Sequence, residues 1–277
     1  MCGFVGFTGL REQREAILHR MADRIIHRGP DMEGYHISGN DPRSAIALGF
    51  RRLSIIDLAA GKQPMYNEDG TVVCVFNGEI YNFMELRTEL QAKGHIFQTH
   101  CDTEVILHGY EEYGTKLAGM LRGMFAFVVW DTKTNEMYGA RDIFGIKPFY
   151  YTQTEAGELL FGSEIKSLLE HPGFRREVNA EALRPYLTFQ YSAMNETFFK
   201  GPISCPRHTG SPSRTARCTL SATGTPISAT PRRFLMSSAP IRSMPACGRA
   251  WPPTASAMSR SAPSCPAAWI PAISRPA

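Results

Sequence analysis

An α+β fold with antiparallel sheets is the architecture this sequence predicts, and three observations predict it. Short β-rich runs recur at 45–50, 71–76, 125–131, 137–142, 149–152 and 159–162. Two pairs of these runs are joined by hairpin-type links, one through Thr132-Lys133-Thr134-Asn135 and one through a segment containing Gly157, and hairpins make antiparallel neighbours. Helical periodicity is confined to three segments instead of alternating with every strand, unlike a doubly wound parallel sheet. The segment 14–26 places Ile17, Leu18, Met21 and Ile25 on one stripe. The segment 81–93 stacks Phe83, Leu86 and Leu90 and stops at Gly94, while 102–113 opens on the capping-type residue Asp102 and stops at Gly114.

The 277 residues, 43% hydrophobic and 20% charged, suffice for one large or two small domains with a core of their own. No apolar run approaches the roughly 20 residues of a membrane span, and no signal peptide opens the chain. Seven cysteines without paired spacing argue against a disulfide scaffold or a zinc site and place the expected compartment in a reducing cytoplasm.

The formal charge of +4 averages two unlike segments. From Gly201 onward there is no Asp, Glu or Lys, and those 77 residues hold 9 Arg, 13 of the 19 Pro and 4 of the 7 Cys. The first 200 residues keep 21 basic against 26 acidic side chains, a net −5. Basicity belongs to the tail, so residues 1–200 give no charge-based case for nucleic-acid binding. The expected organisation is a folded domain over 1–200 and a disordered tail over 201–277.

Chemistry could begin at Cys2. Methionine aminopeptidases remove Met1 before a small second residue, leaving a thiol and a free α-amine on one carbon. That amine has a pKa around 8 and can take the thiol proton directly or through one water. The alternative is an incidental small residue in a first strand. Asn77-Gly78-Glu79 follows an apolar run, where an amide and a backbone N–H can face a developing oxyanion, or where Asn-Gly merely turns the chain. Arg52 can fork onto a carboxylate or form a surface ion pair. Asp102 can cap the following helix or accept an ammonium. His27 and Arg28 suit the end of a helix, and Cys74 and Cys101 read as core thiols.

In order and spacing, MCGFVGF, HRGPD, RLSIIDL, GKQPM, FNGEIYNF, DTEVIL, LRGMFAFVVWD, RDIFGIKPFYY and SEIKSLL resemble the glutaminase domain of the asparagine synthetase family. These are class II, N-terminal-nucleophile glutamine amidotransferases. The resemblance implies a four-layer α-β-β-α sandwich of antiparallel sheets. It implies that Cys2 attacks the glutamine side-chain amide, its α-amine serving as base and acid, with Asn77 and Gly78 as the oxyanion hole. Arg52 would hold the substrate carboxylate, and Asp102 and Glu79 its ammonium. Hydrolysis would need no metal and no cofactor. ATP, Mg²⁺ and aspartate would belong to a following synthetase domain.

That resemblance stops near Gly201. Codons legal for residues 258–274, MSRSAPSCPAAWIPAIS, can be regrouped one base earlier to read DVPIGAFLSGGVDSSYL, containing the SGGVDSS phosphate-binding loop of the synthetase domain. The tail is therefore expected to be out of frame, leaving a chain that splits glutamine without making asparagine. The competing expectations are an idle binding module whose basic tail contacts nucleic acid, and the glutaminase half of an amidotransferase with another acceptor.

Overall fold

The computed structural model describes residues 1–53, 61–191 and 196–204 together with the backbone of Cys218–Ser221. The chain opens with strand β1 (Gly3–Thr8), helix α1 (Arg14–Asp23), a 3₁₀ turn at Ile26–Arg28, β2 (Met32–Ser38), β3 (Ile46–Arg52), β4 (Met65–Tyr66) and β5 (Val72–Ile80). Helices α2 (Phe83–Ala92) and α3 (Asp102–Tyr113) follow, then β6 (Gly123–Asp131), β7 (Glu136–Arg141), β8 (Tyr150–Gln153) and β9 (Leu159–Gly162). A 3₁₀ turn at Gly114–Gly119 between α3 and β6, the short α4 (Ile165–Leu168), α5 (Ala180–Phe189), β10 (Ile203–Ser204) and β11 (Cys218–Ser221) complete the described elements.

Two sheets form, with strand orders β10-β8-β9-β1-β3-β2 and β11-β7-β6-β5-β4, and neighbours run antiparallel throughout. Period-two alternation sorts the side chains into three apolar layers. Phe4 of β1, Ile46, Leu48 and Phe50 of β3, Val73 and Val75 of β5, and Ala126, Val128 and Trp130 of β6 meet between the sheets. On the outer face of the first sheet, Val5, Phe7 and Ala47 pack against Ile17, Leu18, Met21 and Ile25 and against Leu168 of α4. The other outer face sends Cys74, Phe76, Phe127 and Val129 onto Leu86 and Leu90 of α2 and Val105 and Ile106 of α3. The order helix, sheet, sheet, helix is the four-layer sandwich that the resemblance implied.

Both expected hairpins are present, β6–β7 and β8–β9, the first turning through Asn135 at φ 56° and the second through Gly157 at φ 85°. Three details differ from the sequence reading. The first helix ends at Asp23, because Ile25 at φ −112° leaves helical geometry and the chain tightens into the turn Ile26–Arg28, although Ile25 still buries. β2 carries no apolar alternation because it is an edge strand with both faces half covered. Helix α5, with Pro185 inside it, was not expected, and it leaves Leu187 and Phe189 largely exposed.

The first sheet continues past Lys200 into β10, which pairs Ile203 with Tyr151. Of the expected tail, Cys218–Ser221 pairs antiparallel with β7, and the rest beyond Ser204 lies outside the described residues. No helix among the described residues is long and apolar enough to cross a membrane.

Candidate active site

Cys2 immediately precedes β1. Phe4 faces the gap between the sheets, so Cys2, two residues earlier, faces it too and packs against that inter-sheet cluster. Pairing of Gly3 with Arg51 sets Cys2 beside the end of β3, where the Leu53 N–H donates to Cys2 Sγ at 3.4 Å. Arg28 fixes the other side. Its Nε donates to the Cys2 carbonyl at 2.9 Å and its Nη1 to Glu164 Oε1 at 3.0 Å. His27 reaches the same Glu164 oxygen at 2.9 Å. The 3₁₀ turn therefore serves as a clamp on the Cys2 backbone and not simply as a helix end suited to basic residues. Sequence reasoning missed this role. The signal lay in two distant segments, HRGPD and SEIKSLL, which supply the two halves of one ion pair.

Asn77 lies four residues beyond Val73 and two beyond Val75 on β5, hence on the same inward face. It is 2% exposed, and its Nδ2 is buried with no hydrogen-bond partner among the described residues. An unpaired buried donor costs about 1–3 kcal/mol, so an amide kept in this state is poised for a partner that arrives later. Asn77-Gly78 is not a turn: β5 continues through it, pairing Gly78 with Phe125. A Cβ on Gly78 would come 2.3 Å from the Met124 carbonyl and 2.7 Å from Phe125 Cα, so only glycine lets β5 and β6 approach this closely. Upstream, Gln63 acts as a substitute strand. Its Nε2 donates to the Phe76 carbonyl at 3.1 Å while its Oε1 accepts the Phe76 N–H at 2.6 Å, steadying β5 just before Asn77.

Asp102 is the first residue of α3, with Cys101 in the cap position, so its side chain does not cap the helix. Its Oδ2 instead accepts the Ile80 N–H at 2.9 Å, beside the exposed Glu79. Burial, helped by the charge of Glu79 and opposed by the Ile80 N–H, pushes the Asp102 carboxyl up to about 6. Two adjacent carboxylates in this state are a receptor for a cation. Because the folded state holds the proton more tightly than the unfolded chain, Asp102 costs stability as pH rises from about 4 to about 6. A bound ammonium would relieve that cost.

Arg52 ends β3, and Met32 Sδ accepts from its Nη1 at 3.6 Å. A Cβ built on Gly61 would lie 3.6 Å from Arg52 Nη2 and 3.9 Å from Cys101 Cβ, so the guanidinium sits near the start of α3. The structure thus links Cys2 to Arg52 through β3, Arg52 to Asp102 across Gly61, and Asp102 to Asn77 along β5. Cys74 is fully buried and Cys101 partly so, as expected of core thiols. Residues 54–60, which complete the RLSIIDL segment, lie outside the described residues.

A two-sheet sandwich that carries a cysteine second in the chain, just before a central strand, has the architecture of an N-terminal-nucleophile hydrolase. Its fold is similar to the B. subtilis glutamine phosphoribosylpyrophosphate amidotransferase complexed with ADP and GMP, with a TM-score of 0.50 and 22% identity over 64% of this chain and 45% of that one. The glutamine amidotransferase domain model matches residues 1–207, and the chain belongs to that family. It is 46% identical to asparagine synthetase (glutamine-hydrolysing) 1 of Bacillus subtilis over 196 residues, which are 69% of this chain and 30% of the relative. Identity is 47% to the second such synthetase of B. subtilis, over 65% of this chain and 24% of the relative. A synthetase of the same description from Zea mays is 45% identical over 61% of this chain and 28% of the relative. The chain thus matches about a quarter to a third of the length of these relatives.

Proposed function

We propose that residues 1–204 hydrolyse glutamine to glutamate and ammonia with Cys2, freed of Met1, as nucleophile. The observation that carries this reading is the buried Asn77 Nδ2, without a partner among the described residues, on the same inward face as Cys2. The Cys2 α-amine takes the thiol proton, and the sulfur adds to the side-chain amide carbon of glutamine. Negative charge then develops on the amide oxygen and is met by Asn77 Nδ2–H with the Gly78 backbone. The C–N bond breaks, the departing nitrogen takes the proton from the α-ammonium, and water hydrolyses the thioester. No step calls for a metal or a cofactor.

Arg52 pairs with the substrate carboxylate, and Asp102 with Glu79 receives its ammonium. These contacts fix a part of glutamine that does not react. Arg52→Ala is therefore expected to raise KM strongly with little change in kcat, which steady-state kinetics with glutamine would read. An equal loss in both constants would move Arg52 out of the binding role. The ammonium contact also needs Asp102 ionised, so kcat/KM should fall as pH drops through about 6. In Asp102→Asn that limb of the profile should be flat and low. An unchanged acid limb in the variant would reject the assignment.

In this reading the ammonia serves an ATP-dependent conversion of aspartate to asparagine in the cytoplasm, carried out by a synthetase domain encoded in the other frame beyond residue 200. ATP and Mg²⁺ are assigned to that domain. Resequencing the DNA across codons 195–205 tests the frame, and an in-frame result identical to the present sequence would defeat the accidental-shift form of the idea. The acceptor is tested separately, by asparagine formation from aspartate and ATP after the frame is restored.

A further inference from the structure

On the opposite side of the second sheet from the glutamine site, three segments bring two histidines and several glutamates together. His108 and Glu111 lie one turn apart on α3, His95 follows α2, and Glu68 lies between β4 and β5. One nitrogen of each histidine and one oxygen of Glu111 fall within 4.8 Å of one another. Glu111 Oε2 is 3.0 Å from His108 Nδ1 and 3.8 Å from His95 Nδ1, and Glu68 Oε2 is 3.8 Å from His108 Nδ1.

The ring nitrogens facing away from this centre are as informative. His108 Nε2, buried and without a hydrogen-bond partner among the described residues, points toward Glu104 Oε1 at 3.7 Å. His95 Nε2 faces Glu112 Oε2 at 3.5 Å. Glu104 is itself held by the Gln98 and Thr99 N–H groups at 2.6 and 2.7 Å, and Asn67 Nδ2 donates to the second oxygen of Glu111 at 2.6 Å. His95 and Glu111 thus have outer partners of the kind that orient metal ligands, and His108 Nε2 has an anchored carboxylate 3.7 Å away. Four carboxylates surround the two rings, while Lys93 pairs with Glu112. The group carries excess negative charge that a divalent cation would offset.

We propose that His95, His108, Glu111 and Glu68 bind a divalent transition-metal ion of the zinc type, through both Nδ1 atoms and one oxygen of each carboxylate. Two imidazoles with two carboxylates are a borderline-soft tetrahedral set, suited to Zn²⁺ over Mg²⁺ or Ca²⁺. His108 is almost fully buried, whereas Glu111 and Glu68 are partly exposed, leaving a route for the ion from solvent. The ion would tie the segment after α2 and the β4–β5 turn to α3, away from the chemistry.

The test is titration of the metal-free full chain with Co²⁺, followed by displacement with Zn²⁺. One cobalt per chain is expected, with the visible spectrum of a tetrahedral nitrogen–oxygen site and no thiolate charge-transfer band. His95→Gln and Glu111→Gln, at positions exposed enough to tolerate the change, should each abolish that spectrum. Glu112→Gln should weaken binding by about tenfold. Cobalt that stays six-coordinate in solution overturns the proposal. So does a thiolate-type spectrum that survives His95→Gln, because the ion would then sit on cysteines.

Discussion

Cys2→Ala is expected to abolish glutamine hydrolysis while the protein keeps its fold. The side chain contributes a sulfur at the rim of the inter-sheet core, and Ala fits the same space, giving up the two weak thiol hydrogen bonds with the Leu53 N–H and carbonyl. The effect on activity is chemical. Without the thiol there is nothing to form a thioester, and the Asn77 amide has no oxyanion to receive. Glutaminase assay beside circular dichroism separates activity from folding. An N-terminal extension that prevents Met1 removal should give the same inactive, folded protein, because the thiol remains but its α-amine becomes an amide with no basicity. Activity in either protein would remove Cys2 from the nucleophile's position.

Asn77→Ala should lower kcat by about 10²–10³-fold, the usual effect of losing one oxyanion donor, with KM nearly unchanged. Its stability signature should be unusual for a buried polar residue. Removing a hydrogen-bonded amide normally destabilises, but Nδ2 has no partner among the described residues to give up, so thermal unfolding should shift little or upward. A large kcat loss with intact stability identifies a group held ready for the transition state. A stability loss matching the activity loss would make Asn77 an ordinary structural residue.

The sandwich was legible because continuous apolar runs such as 72–76 and 125–130 read as strands buried on both faces, and because Gly114 and Gly157 punctuate helix and hairpin at positive φ. The edge strand β2 was not, since an edge satisfies few apolar neighbours and its composition is correspondingly mixed. Site residues divide in the same way. Cys2, Asn77 and Arg52 could be suspected from their chemistry, but each had a bland local reading that only the shared motif order displaced. Arg28 with Glu164 and Gln63 with Phe76 left no local trace, because one links residues far apart in sequence and the other depends on strand register. Asp102 shows the reverse hazard: its helix-capping chemistry was plain in the sequence, yet the carboxylate reaches across to Ile80.

The position of β1 inside its sheet has a consequence for biosynthesis. Val5 pairs with Gly162, and β1 is flanked on its other side by β3. The strand that follows Cys2 cannot be paired on both sides until β9 has been made. At ordinary translation rates that leaves an interval on the order of ten seconds. During it the N-terminus is an open, extended segment that an aminopeptidase can reach, and the thiol is open to oxidants as well. On the proposed chemistry, the supply of aminopeptidase during this interval sets the fraction of chains that leave synthesis with Cys2 already freed, and Met1, 61% exposed in the closed sheet, stays open to later trimming.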